Sequence, residues 1–188
     1  MNKTKTITLT GLLTALAIII PMIMPLKVVM PPFTATLASH VPLILAMFIS
    51  PLSAVVVALG SGIGFLLTPL GPIVAARAAL HVVFTFFGAY MIRKNFNFYL
   101  VLLVTLLLHA LSDMAIVYVL SSWFNINVIG DQAMGYVQYV IGIGTSIHHV
   151  VDYAIAVAIA IPLTKAMPGV INENGLKLSG KATGTPSM

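Results

Sequence analysis

The chain has 188 residues, 60% of them hydrophobic and 7% charged, with a mean hydropathy of +1.08. Soluble domains carry about a quarter charged residues, so this composition excludes a water-soluble fold and indicates an all-α integral membrane protein of one domain. The net charge of +5 gives no case for nucleic acid, because the basic residues stand at the ends of apolar segments, where they anchor and orient helices. The absence of cysteine excludes disulfides, thiolate metal sites and a cysteine nucleophile.

In chain order, hydropathy predicts a bundle of six transmembrane helices. The first covers Ile7 to Leu26. Its start, with Lys3 and Lys5, resembles a signal peptide, but the apolar run continues to Leu26 with no small-x-small cleavage site after it, so a retained span is expected. Pro21 and Pro25 are expected to kink its far end. Lys27 to Phe33 reads as an extended connector stiffened by Pro31 and Pro32. The second span is Thr34 to Ser50, stopped by Pro51, and the third is Leu52 to Thr68. The fourth is Ile73 to Ile92 and the fifth Phe98 to about Leu120. A polar connector, SSWFNINVIGDQAMG, leads to the sixth, placed from about Val140 to Thr164 with Gly142 and Gly144 at its mouth. Residues 1–168 thus form a membrane domain, and 169–188, rich in Gly, Ser, Thr and Lys, form a mobile cytoplasmic tail.

With both termini cytoplasmic, the inner side holds Lys3, Lys5, Arg93, Lys94, Lys165, Lys177 and Lys181, and the outer loops hold Lys27 alone. That bias satisfies the positive-inside rule and supports an even number of crossings. The same orientation puts His40, Arg77, His81, His109, Asp113, His148 and Asp152 in the outer half or near the midplane, a pattern for a pocket open to the outside.

Arg77 and His81 lie one helical turn apart in GPIVAARAALHVVFTFFGAYMI. An arginine in hydrocarbon costs several kcal/mol and must face protein, water or a ligand. As a planar, permanently charged fork it suits a carboxylate or phosphate; the alternative is an ion pair with Asp113 or Asp152. His109/Asp113 and His148/Asp152 repeat the one-turn spacing, either as ligand contacts or as pairs that satisfy each other. His40, near Thr34, Thr36 and Ser39, is a further candidate for ligand contact. Tyr136, Gln138, Tyr139 and Trp123 border the outer connector, where they could cover a flat ligand or sit in an interfacial belt. Of these, Tyr139 is taken as a binding residue. No metal or cofactor is expected, because HxxxH and HxH patterns are lacking, His148 and His149 point about 100° apart, and Arg77 would oppose a cation.

The GSGIG segment lies inside a predicted helix and is no nucleotide loop; Gly60 and Gly64 provide a small face for close helix packing. Gly11 and Ala15 repeat that spacing on the first span, for internal packing or for docking of a partner membrane protein.

Six short spans, a small-residue face on the first and an outer pocket resemble the S components of energy-coupling factor (ECF) transporters, over about Gly11 to Ala160. The segments FTATLASHVPLILAMFISP (Phe33 to Pro51) and ARAALH (Ala76 to His81) more specifically resemble the niacin-type S components. The resemblance implies a substrate-capturing subunit of a bacterial cell membrane importer, with no ATPase of its own. Its partners would be a transmembrane coupling subunit and two cytoplasmic ATPases. It further implies that Gly11 and Ala15 occupy the small face that meets the coupling subunit, and that Lys27 to Phe33 forms a lid. Nickel and cobalt relatives carry a histidine after the initiator methionine, where this chain has Asn2. The expected function is capture of niacin. Another small carboxylated or aromatic vitamin (pantothenate or a pyridoxine-like compound), a histidine-based intramembrane enzyme and a haem carrier are the alternatives.

Overall fold

A computed structural model describes residues 3–30, 33–123 and 135–177. Helix α1 (Lys3–Ile23) is followed by strands β1 (Lys27–Met30) and β2 (Phe33–Thr36). Helices α2 (Val41–Met47), α3 (Pro51–Leu66), α4 (Pro72–Arg93) and α5 (Phe98–Trp123) come next. A π-helical segment (Tyr136–Ile143) runs directly into α6 (Gly144–Ala166), and a short 3-10 helix (Glu173–Leu176) ends the described chain. Four helical stretches are long and apolar enough to cross a membrane: Lys3–Ile23, Pro72–Arg93, Phe98–Leu120 and Tyr136–Ala166. Helix α3 is equally apolar but only 16 residues long.

The predicted second span is built differently from a regular helix. Thr34 to Ser50 begins as a strand, turns at residues 37–40, and contains a helix of only seven residues, all of them buried. The extended connector becomes one arm of a hairpin, with Lys27 opposite Thr36 and Met30 opposite Phe33. Non-helical backbone is tolerated inside a membrane bundle only where protein satisfies its polar groups. Here the Leu37 N–H donates to the Leu26 carbonyl at 3.0 Å, and the Asp152 carboxylate accepts from the N–H groups of Ala38 and His40 at 2.8 and 2.9 Å. That carboxylate holds Ala38 in the left-handed region, at φ 64°, which a residue with a Cβ seldom adopts.

Pro51 does not merely stop a span; it opens the next one. Ser50 caps α3 by accepting from the Ser53 N–H at 3.0 Å, and Pro51 takes a first-turn position where its missing N–H costs nothing. The sixth helix starts earlier than Val140, because the wider π turns over Tyr136–Ile143 extend the same helical rod. Just past the predicted boundary, Val170 and Ile171 are buried, and the Asn172 N–H donates to the Phe48 carbonyl at 2.7 Å. Residues 169–177 therefore pack on the bundle, while 178–188 lie outside the described residues, as does most of the connector before Tyr136.

Helices α1 and α3 cross at the glycines. Cβ atoms on Gly60 and Gly64 would meet Thr14 Cγ2 at 2.7 Å and the Ile18 carbonyl oxygen at 2.6 Å. Only a residue without a side chain lets the two backbones come so close. Thr10 adds a hydroxyl bond to Ser53 at 2.8 Å. Leu13, Ala17 and Pro21 are the buried residues of α1, whereas Gly11 and Ala15 lie on its exposed side. A Cβ on Gly11 would meet nothing within 4 Å. Gly64→Ala should therefore lower thermal stability in detergent by about 1–3 kcal/mol through overpacking, while Gly11→Ala leaves the transition unchanged. Equal transitions for the two variants would refute close packing at Gly64.

Candidate functional site

The polar residues of α4, α5 and α6 meet in one place, joined by the turn before α2. All five histidines of the chain belong to this cluster. The His40 ring stands 4.6 Å, centroid to centroid, from each of His81, His109 and His148, and His81 stands 4.8 Å from His109. Phe84 closes the apolar side, stacked on His109 at 4.7 Å and edge-on to His149 at 5.1 Å. Arg77 is 5% exposed, and Asp113 and Asp152 have no exposure.

Arg77 reaches Asp113 Oδ2 from Nη2 at 2.5 Å and from Nε at 3.1 Å. The Thr145 hydroxyl donates to the same oxygen at 3.1 Å and lies 3.4 Å from Arg77 Nη2. One carboxylate oxygen thus collects three donors, while buried Asp113 Oδ1 has no hydrogen-bond partner among the described residues. The guanidinium carbon stands 5.6 Å from the centre of the Phe33 ring, which comes from the hairpin. Phe33 fits there because Gly144 yields the space: a Cβ on Gly144 would lie 2.7 Å from the ring.

Neither His/Asp pair closes on itself. Asp152 spends its oxygens on the backbone of Ala38 and His40, leaving His148 Nε2 3.6 Å from Oδ2 and 3.3 Å from the Ser39 hydroxyl. Asp113 serves Arg77, and His109 Nε2 is 3.7 Å from it. His109 Nδ1 instead meets His149 Nδ1 at 3.1 Å, and His149 Nε2 meets the Thr105 hydroxyl at 3.1 Å. His40 Nδ1 approaches Asp152 Oδ2 at 3.2 Å but at an angle too poor for a hydrogen bond, and His81 Nδ1 is buried with no partner among the described residues.

Thr34, Ser39, His40, Arg77, His81, His109, Thr145 and His148 line a cavity of about 20 Å³, room for the centre of one water molecule. A wider, mostly apolar cleft of about 530 Å³ lies between the hairpin and α6, walled by Leu26, Phe33, Leu37, Ile147 and Val151. His148 borders both spaces. The hairpin that separates them is fastened by the Tyr136 hydroxyl, which donates to the Met30 carbonyl.

Of the residues singled out in the sequence, Arg77, His81, His40, His109, Asp113, His148 and Asp152 come together here. Tyr139 does not: it is 69% exposed and lines neither space. Trp123 is 81% exposed. Thr145, His149, Thr105 and Phe33 belong to the cluster without having been singled out. Spacing could have found three of them, since Thr105/His109/Asp113 and Thr145/His149/Asp152 each line one helical face. Phe33 carries no such signal, because its position depends on hairpin pairing.

No protein-family profile matches the chain, and no solved structure matches it. The niacin transporter NiaX of Lactococcus lactis subsp. cremoris is 32% identical to it over 191 aligned positions, covering 95% of this chain and 83% of that protein. With that identity over nearly its whole length, and with helices suited to crossing the bilayer, the chain belongs to the NiaX-type niacin transporter family, multi-pass proteins of the bacterial cell membrane.

Proposed function

We propose that the chain is the substrate-capture subunit, or S component, of an ECF-type importer, and that it binds nicotinate from the outer side. Six crossings with both termini cytoplasmic accord with seven inner cations against Lys27 outside. In this arrangement the hairpin and turn carry the second crossing part of the way, and buried α2 completes it. A seven-residue helix alone spans only about 10 Å.

The observation that carries the reading is the buried guanidinium of Arg77 beside a small cavity lined by hydroxyls and imidazoles. Nicotinate is a flat anion with one ring nitrogen. Arg77 supplies the charge-assisted donors for its carboxylate, sharing Asp113 or displacing it, and His81, His40 or a hydroxyl such as Thr145 meets the ring nitrogen. Removing the vitamin from water is unfavourable unless a fixed opposite charge receives it. The cavity of about 20 Å³ is too small for the ring. Binding therefore requires the hairpin to move so that the cavity joins the adjoining cleft, with Tyr136 released from Met30. The hairpin is the lid of the site.

The loaded subunit would then work with a transmembrane coupling subunit and two ATPases, which supply the energy that this chain does not. Gly11 and Ala15, small and outward on α1, form the docking face.

Detergent-purified protein should bind nicotinate about 100-fold more tightly than nicotinamide, the difference of roughly 3 kcal/mol that a bidentate charged contact provides. Arg77→Ala should abolish that preference. Equal affinity of the wild-type protein for the two compounds would defeat the arginine–carboxylate contact, whatever the folding of the variant. Competition with pantothenate and pyridoxine in the same assay tests the choice of vitamin. In cells that contain the coupling subunit and ATPases, Gly11→Trp and Ala15→Trp should preserve nicotinate capture and block uptake. Normal uptake by both variants would remove α1 as the docking face.

A further inference from the structure

We propose that His40, His81 and His109 hold a divalent first-row transition metal ion of the zinc class, and that this ion helps to receive the vitamin carboxylate or ring nitrogen; the second half rests on the nicotinate reading. Each of the three offers a nitrogen, and these nitrogens all lie within 4.8 Å of one another. Three imidazoles around one tetrahedral ion, with bonds of about 2.0–2.1 Å, bring their nitrogens to about 3.3 Å. Small ring rotations cover the difference. All three rings line the cavity of about 20 Å³, which suits an ion better than any organic ligand.

The surroundings are those that metal-binding histidines need. A ligating imidazole is oriented by what its other nitrogen meets, most often a carboxylate or another fixed polar group. His40 Nδ1 faces Asp152 at 3.2 Å, and a modest rotation completes that bond. His109 Nδ1 is held through His149 and Thr105, which leaves its Nε2 available. His81 Nδ1 is buried without a hydrogen-bond partner among the described residues, an arrangement that costs free energy unless a ligand answers it. The neighbouring set of His40, His148 and Asp152 is less suited. Both Asp152 oxygens already accept backbone N–H groups, and His148 Nε2 is engaged by Ser39.

Charge favours the same conclusion. The sequence expectation that Arg77 repels a cation changes once Asp113 neutralises it at 2.5 Å. With neutral histidines, Arg77, Asp113 and Asp152 leave the buried cluster with one net negative charge, which would repel an incoming carboxylate. A divalent ion reverses the sign, and one bound carboxylate then brings the cluster to neutrality.

The test is to measure metal content in protein purified from metal-replete medium, strip the ion with a chelator, and titrate the stripped protein with cobalt(II) alone. One ion per chain and the intense visible bands of tetrahedral cobalt are expected. His40→Gln and His81→Gln should lose both, and His148→Gln should keep them. No stoichiometric ion and no cobalt bands in the wild-type protein would overturn the site without reference to any variant. So would bands that survive in the His40→Gln/His81→Gln double variant. Nicotinate affinity, measured by equilibrium dialysis, should be at least about ten-fold tighter in the zinc-loaded than in the stripped protein. Equal affinity would overturn the ion's part in capture, and so would tightening by acid alone in the stripped protein, which would mark a proton as the missing charge. Absence of nicotinate binding in both forms, with the cobalt bands present, would reject the vitamin reading while upholding the metal site.

Discussion

Inside a membrane bundle no charge and no backbone polar group can be left to water, and that constraint organises this molecule. Asp113 and Asp152, both fully buried, have to be matched by protein. Asp113 is matched by a guanidinium and a hydroxyl, joining α4, α5 and α6. Asp152 is matched by two backbone N–H groups, which joins α6 to the irregular stretch before α2. The two carboxylates thus divide the work. One holds the arginine, and the other holds the turn that carries His40. Removing Arg77 would leave Asp113 an uncompensated buried charge, a change that costs about 3–5 kcal/mol.

The irregular stretch repays its cost with position. A continuous helix from Thr34 to Ser50 would place side chains only on helical faces. A hairpin, a turn and a short helix instead bring Phe33 over Arg77 and set His40 among the rings of His81, Phe84, His109 and His148. Four residue pairs hold the hairpin together, and it meets the bundle through the buried strand β2, the Phe33 ring in the notch of Gly144, and the Tyr136 hydroxyl on the Met30 carbonyl, while β1 is exposed along its length.

Packing elsewhere keeps this polar centre stable and leaves one helix available. Glycines on α3 take α1 into close backbone contact along Thr14, Ala17 and Ile18. The opposite side of α1 carries Gly11 and Ala15, and a Cβ on Gly11 would meet nothing within 4 Å among the described residues. One stripe of α1 therefore serves the fold and another is open to the membrane or to a partner.

Much of this was legible in the residues. Composition established the membrane, the one-turn spacing of Arg77 and His81 placed them on one face, and Gly60 and Gly64 announced a close crossing, because helical period and the cost of charge in oil are local properties. The segments Phe33 to Pro51 and Ala76 to His81 pointed to the niacin group. Tertiary structure decided the rest: that Asp113 rather than Asp152 meets Arg77, that Asp152 turns to the backbone, that His149 faces inward, and that Tyr139 faces out. A helical wheel shows which residues share a face, but partners are chosen by which helices lie side by side and at what height. That choice comes from the packing of the whole chain, together with a hairpin whose register no helical period could reveal.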